Sequence, residues 1–117
     1  VSLPTLDEFL ERKIKNSYIQ YPGFSDLYLR STDYYVIIEN KTYKCTHLIQ
    51  IANVVADNPG NGAFTRLVDD LIKRGFAVLV ECVHNERFRD KLKRMGFIPV
   101  NTHCGFHFLK NHENHLI

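Results

Sequence analysis

Apolar residues near the start of the chain recur as Leu6, Phe9, Leu10 and Ile14, spaced i, i+3, i+4 and i+8. That spacing lays one apolar stripe along a helix. Thr5 and Glu8 fit a capping box at its start. Tyr21-Pro22-Gly23 breaks the pattern, and strand-like runs follow. Leu27 to Arg30 is a short strand. Asp33 to Glu39 holds Tyr34-Tyr35-Val36-Ile37-Ile38, rich in aromatic and β-branched residues. Asn40-Lys41 makes a hairpin turn. Thr42 to Val55 is too long for an ordinary single strand, so a bulge or break near Cys45 to His47 is expected. The connections are short, which predicts three antiparallel neighbours.

The second half changes rhythm. Asp57-Asn58-Pro59-Gly60-Asn61-Gly62 is a glycine-bearing loop. Phe64, Leu67, Val68, Leu71 and Ile72 then describe an amphipathic helix stopped by Gly75. Phe76 to Val80 is nearly all apolar, as in an interior strand covered on both faces. Asn85 caps a second helix carrying Phe88, Leu92 and Met95 and closed by Gly96. Phe97 to Val100 and Cys104 to Leu109 read as a final hairpin. The predicted class is α/β (α+β): a mixed, mostly antiparallel central sheet flanked by helices, in one domain over residues 1–117.

Composition narrows the function classes. The 117 residues are 44% hydrophobic, with eight Phe and six Tyr to build a core, which excludes a mainly disordered chain. No apolar run reaches membrane-spanning length, so no membrane partner is expected. Val1-Ser2-Leu3-Pro4 shows no basic region leading into an apolar stretch, so no signal peptide is expected. Cys45, Cys82 and Cys104 fit no disulfide framework and read as buried thiols of a reducing, cytoplasmic protein. A net charge of +2 is too mild to argue for nucleic acid as a partner. The basic run Arg87, Arg89, Lys91, Lys93 and Arg94 is a solvated helix face, or a place for Arg87 or Arg89 to meet phosphates.

The most informative unit is strand, loop, helix. A helix start offers free amides and partial positive charge to an anion, and glycines let the backbone approach it. Gly60-Asn61-Gly62 after Val54, followed by Asn85 opening a helix that ends in Gly96-Phe97, resembles the GNAT-type N-acetyltransferase superfamily over roughly residues 46 to 100. The resemblance implies a coenzyme A cleft where two parallel strands splay apart, here those ending at Val55 and His84. It implies that Val54, Val55 and Ala56 pair with the pantetheine arm and that Gly60, Asn61, Gly62 and Ala63, leading into Phe64, wrap the pyrophosphate. Asn85 would hold the pantetheine or cap its own helix, and Phe88 would line the thiol end. The implied activity is transfer of an acetyl group from acetyl-coenzyme A to an amine of a small molecule or protein. The chain departs from the family pattern at Asp57 and Pro59, in the missing first strand, and at Leu92, where many members carry a thiolate-protonating Tyr. These departures suit the alternative of a catalytically inactive binding module.

Two residues are candidates for the general base. Glu81 interrupts an apolar strand and is either presented to the cleft or paired with a Lys or Arg. His47 stands at a strand entry and would share a face with Asn53 under strict alternation, or is an exposed entry histidine. His103, Cys104, His107, His112 and His115 match no zinc spacing, and no metal is expected. Asn111 to Ile117 is expected to be a loosely held end. The final strands could pair with a second copy through an exposed edge, giving a homodimer.

Overall fold

Thr5 opens α1 (Leu6–Glu11) as a capping box: its hydroxyl accepts from the Glu8 amide at 3.2 Å, and its own amide donates to Glu8 Oε1 at 3.0 Å. Lys13, at φ 53°, turns the chain out of the helix before Ile14, which still packs on the core. A computed structural model describes residues 2–81 and 84–117. Two further helices follow, α2 (Ala63–Lys73) and α3 (Glu86–Arg94). Each is amphipathic: α2 buries Leu67, Val68 and Leu71, and α3 buries Leu92.

Among the described residues eight strands form one mixed sheet: β1 (Asn16–Tyr18), β2 (Phe24–Ser31), β3 (Tyr34–Ile38), β4 (Lys41–Cys45), β5 (Leu48–Ala56), β6 (Ala77–Val80), β7 (Ile98–Thr102) and β8 (Gly105–Lys110). Their spatial order is β1-β2-β5-β6-β8-β7-β3-β4. β5 and β6 run parallel, and the other paired neighbours are antiparallel. The protein is therefore an α+β fold with a mixed sheet. All four residues of β6 are buried, which explains their unbroken apolar run. No helix among the described residues is long and apolar enough to cross a membrane.

The expectation of three consecutive antiparallel neighbours is corrected. β3 and β4 do form a hairpin, turned at Glu39 and Asn40 with φ of 49° and 66°, the geometry of a type I′ turn. The expected break near Cys45 to His47 is present, between β4 and β5. β2, however, pairs directly with β5, and the β3–β4 hairpin joins the far side of the sheet beside β7. The sheet coils so that Tyr34, Val36 and Cys45 of the hairpin meet Leu48, Ala77 and Leu79 on the face turned away from the helices. The other face carries Leu29, Ile49, Ile51, Val78 and Phe108 against the three helices.

Three local expectations also change. Residues 111–117 are tied down: Ile117 and Lys44 exchange two backbone hydrogen bonds of 2.9 and 3.0 Å, and the Thr46 amide donates to the His115 carbonyl at 2.9 Å. β7 and β8 lie inside the sheet, so they present no edge for a second copy. Cys45 is buried, and burial together with the charge of Asp33 pushes its thiol up to about 11, whereas Cys104 is exposed. Cys82 lies outside the described residues.

A polar tie fixes α1, the Tyr21 turn and α2 to one another. The Tyr21 hydroxyl donates to Asp70 Oδ2 at 2.8 Å, while Arg74 donates to Asp70 Oδ1 at 2.8 Å and pairs with Asp7 at 2.7 Å. Burial, then the Asp70 carboxylate, pushes the Tyr21 phenol up to about 12. Gly23 follows at φ 99°, and a Cβ there would stand 2.7 Å from Ala63 Cβ, so the turn and the start of α2 touch without clearance.

Candidate functional site

The site begins where two parallel strands part company. β5 and β6 pair in register from Leu48↔Ala77 to Ile51↔Val80, and the last bond runs from the Glu81 amide to the Ile51 carbonyl at 3.3 Å. β6 ends at Val80, while β5 continues to Ala56 and, among the described residues, pairs there only with β2. The cause of the parting is local. Tyr28 pairs with Asn53 and Leu29 with Ile51, which leaves Ala52 as an extra residue on β5. Such a bulge bends the strand and raises its twist. It also shifts the alternation of faces: Ile51 and Val54, not Ile51 and Asn53, both pack toward the helices.

Between the separated ends lies a hollow of about 260 Å³, lined among others by Asn53, Val54, Glu81, Asn85 and Phe88. It adjoins a second hollow of about 240 Å³, walled by Val54, Phe24, Phe64, Phe88, Lys91 and the 58–62 loop. Val54 and Phe88 line both, so the two make one cleft running from the strand gap to the start of α2.

The cleft ends on a helix N-terminus. Gly62 is the N-cap at φ 85° and supplies no side chain, while Asn61 Oδ1 accepts from the Ala63 amide at 3.2 Å. The first intrahelical bond reaches Gly62 from Arg66, at 3.1 Å. The first-turn amides of Phe64 and Thr65 therefore have no acceptor within the helix. Gly60, at φ 91°, has open space where a Cβ would stand. Phe64 meets Phe88 edge to face at 5.0 Å, and the Lys91 ammonium lies 5.9 Å from the Phe64 ring. Outside this rim, Arg87, Lys91 and Arg94 border a wide hollow against Pro59 and Gly60. The helix start, Lys91 and these arginines make this end of the cleft attractive to anions.

The structure gathers most of the expected residues here. Val54, Ala56, Gly60, Asn61, Gly62, Ala63, Phe64 and Phe88 line the cleft. Val55 is exposed beside them on β5. Asn85 borders the strand gap, but its side chain is committed to its own helix, accepting from the Phe88 amide at 3.0 Å. Glu81 faces the gap and pairs loosely with Arg30, at 3.9 Å. His84 also lines the gap but lies beyond the end of β6 at Val80.

Other expected residues stand elsewhere. His47 lies at the opposite end of β5, where its carbonyl accepts from the Ala77 amide at 3.0 Å and its ring stacks on Phe76 at 4.2 Å. The paired stretch Leu48–Ile51, roughly 13 Å of strand, separates it from the gap. The bulge at Ala52 removes the alternation that linked it to Asn53. Arg89 stands over the Phe106 ring at 5.4 Å, away from the cleft, and Asp57 is not among the cleft-lining residues. No group of three His, Cys, Asp or Glu able to hold a metal occurs among the described residues.

Two wall residues escaped sequence reasoning. Phe24 arrives through pairing of β2 with β5, and its only signal is the break at Pro22-Gly23 before it. Lys91 is one lysine in a basic helix, distinguished only by lying one turn after Phe88. Comparison with protein-family models, with curated proteins and with solved structures gives no match.

Proposed function

We propose that the chain binds acetyl-coenzyme A in this cleft and transfers the acetyl group to an amine, as its resemblance to the GNAT-type superfamily implies. The observation that carries the reading is the one-sided parting of β5 from β6 beyond Ile51 and Val80, opening onto a glycine-bearing helix start. The residues present suit the coenzyme. Past Ala52 the side of β5 away from β2, unpaired among the described residues, offers backbone groups to an amide-bearing arm. The first-turn amides of α2, the open backbone at Gly60 and the Lys91 ammonium suit a pyrophosphate. Phe88 and Val54 give the arm an apolar bed.

Glu81 is the base in this reading. Glu81 borders the strand gap and, among the described residues, forms one long, half-exposed ion pair, with Arg30, so an incoming ammonium competes for it. The Glu81 carboxylate takes a proton from the ammonium; the freed nitrogen attacks the thioester carbonyl, the C–N bond forms as the C–S bond breaks, and coenzyme A leaves as its thiolate, which is protonated from solvent. A positioned base of this kind contributes about 10²–10⁴-fold.

A second reading, a binding module without catalysis, is favoured by one observation: Leu92 is fully buried in the helix-side core and donates no proton. Calorimetric titration with acetyl-coenzyme A tests the shared premise, and absence of both heat and thermal stabilisation at millimolar ligand overturns it. Release of free thiol with a panel of amines then separates the two readings: turnover supports the enzyme, and binding without turnover supports the module.

A further inference from the structure

The face of the sheet turned away from the helices carries a charged ledge beside the strand gap. Leu29 of β2 packs toward the helices, so its neighbours Tyr28 and Arg30 project from the other face. Leu79 of β6 lies on that face too. Glu81, two residues on, reaches the same side, where Arg30 Nη1 stands 3.9 Å from its Oε2. Asn53, opposite Tyr28 in register and exposed, also borders the gap.

An aromatic pair holds the arginine in place. The Arg30 guanidinium lies 5.6 Å from the centre of the Tyr28 ring. That ring is itself fixed: its hydroxyl donates to Asn16 Oδ1 at 2.9 Å, and Tyr18 meets it edge to face at 4.8 Å. At 3.9 Å the pair with Glu81 is too long for a hydrogen bond, and the two side chains are 42% and 29% exposed. Among the described residues the Arg30 guanidinium makes no hydrogen bond. A cation and an anion thus stand side by side, positioned but unsaturated, and solvent reaches both.

Such a pair discriminates between acceptors. A molecule bearing only an ammonium gains from Glu81 and loses to the like charge of Arg30, so it is held weakly. A molecule with a carboxylate on the carbon that bears its amine satisfies both groups, and the guanidinium fork matches a carboxylate with two parallel hydrogen bonds.

We propose that the acceptor is a free α-amino acid, its ammonium on Glu81 and its carboxylate on Arg30. This inference rests on the acetyl-transfer reading and names its substrate class. Arg30 sets the specificity, and Tyr28 positions Arg30. The amino acid enters on the face away from the helices, while the anion-attracting end of the cleft lies on the helix side, so donor and acceptor meet at the strand gap without sharing a path. The amine nitrogen forms the C–N bond as the thioester C–S bond breaks, and one proton is released overall. The product nitrogen is a neutral amide, so the N-acetyl amino acid keeps only the Arg30 half of its binding, which favours release.

Release of free thiol at saturating acetyl-coenzyme A is measured for free amino acids and for the amines they give on decarboxylation, such as tyrosine with tyramine and leucine with 3-methylbutylamine. The parent is expected to favour the amino acid of a pair in kcat/KM. Arg30→Gln should cut that preference about ten- to a hundredfold, the worth of hydrogen bonds between charged groups, with the loss mainly in KM for the amino acid. It should also raise kcat/KM for the bare amine, from which a like charge has been removed. Arg30→Lys keeps the charge without the fork and should fall between. A parent that favours the bare amines, or a preference that neither variant lowers, overturns the inference. A second measurement needs no turnover. Calorimetric titration of the free amino acids into the chain saturated with coenzyme A is expected to show binding in the parent, weakened at least about tenfold in Arg30→Gln. Absence of amino-acid binding to the coenzyme-loaded parent overturns this inference alone, whereas absence of coenzyme binding overturns the acetyl-transfer reading beneath it.

Discussion

Gly23→Ala tests how the cleft end is held in place. Two costs are expected. At φ 99° an alanine pays the left-handed penalty of about 1–2 kcal/mol. Its new Cβ would also stand 2.7 Å from Ala63 Cβ, with the Ala63 Cα at 3.9 Å. Ala63 is the first residue of α2 and is buried, so relief requires moving the helix start or the turn, an overpacking cost of about 1–3 kcal/mol. The turn resists, because Tyr21 is bonded to Asp70 and the Gly23 carbonyl accepts from the Asp57 amide at 2.9 Å. The sum is about 2–5 kcal/mol. Gly60→Ala is the matched control: its φ is 91°, but a Cβ there meets nothing within 4 Å, so only the backbone penalty of about 1–2 kcal/mol remains. Urea unfolding of both variants gives the difference directly. Gly23→Ala should be the less stable by about 1–3 kcal/mol, or roughly 4–12 °C in Tm for a chain of this size. Equal destabilisation of the two variants would refute the argument that the turn and α2 are in contact without slack.

Three further outcomes are expected. The Tyr21 phenol titrates near 12 in the folded chain against an ordinary 10.0, so its contribution is whole below pH 10 and is lost as pH rises toward 12. Screening by nearby water limits that contribution to about 1 kcal/mol, and denaturant midpoints at pH 9 and 11.5 should show it in the parent but not in Tyr21→Phe. Asn85→Ala removes the cap on the Phe88 amide and should cost about 1 kcal/mol in the same unfolding assay. Lys91→Ala should weaken coenzyme A binding about fivefold in 0.05 M salt and by less in 0.5 M, since screening takes away the charge it supplies; calorimetry at the two salts reads this.

Local pattern made much of this molecule legible. The helix over Ala63–Lys73, the capping box at Thr5 and the Asn85 cap depend on residues within one or two turns of each other, and the sequence displays them directly. β6 was readable because burial on both faces leaves no polar position. β1 was not, since Asn16-Ser17-Tyr18 is short and polar and is a strand only through pairing with β2. The place of the β3–β4 hairpin was also hidden. Its turn is local, but its pairing with β7 joins residues 66 positions apart, as in Val36↔Thr102. In the cleft, the glycine loop was visible and its geometry was not. The single extra residue Ala52 decides which side chains of β5 face the helices, and nothing in Ile51-Ala52-Asn53-Val54 announces a bulge. That residue made Val54, two places before the end of β5, a wall of the cleft.

The strap formed by residues 115–117 along β4 has a consequence for the protein in concentrated solution. A sheet of eight strands would ordinarily expose two rows of backbone donors and acceptors, each a template for stacking onto another chain. Here His115 and Ile117 bond to Thr46 and Lys44 at the end of one row, and the other row belongs to a strand of three residues, too short to seed ordered growth. Loosening residues 115–117 would free the Lys44 and Thr46 backbone groups for pairing with another chain, at a place far from the cleft.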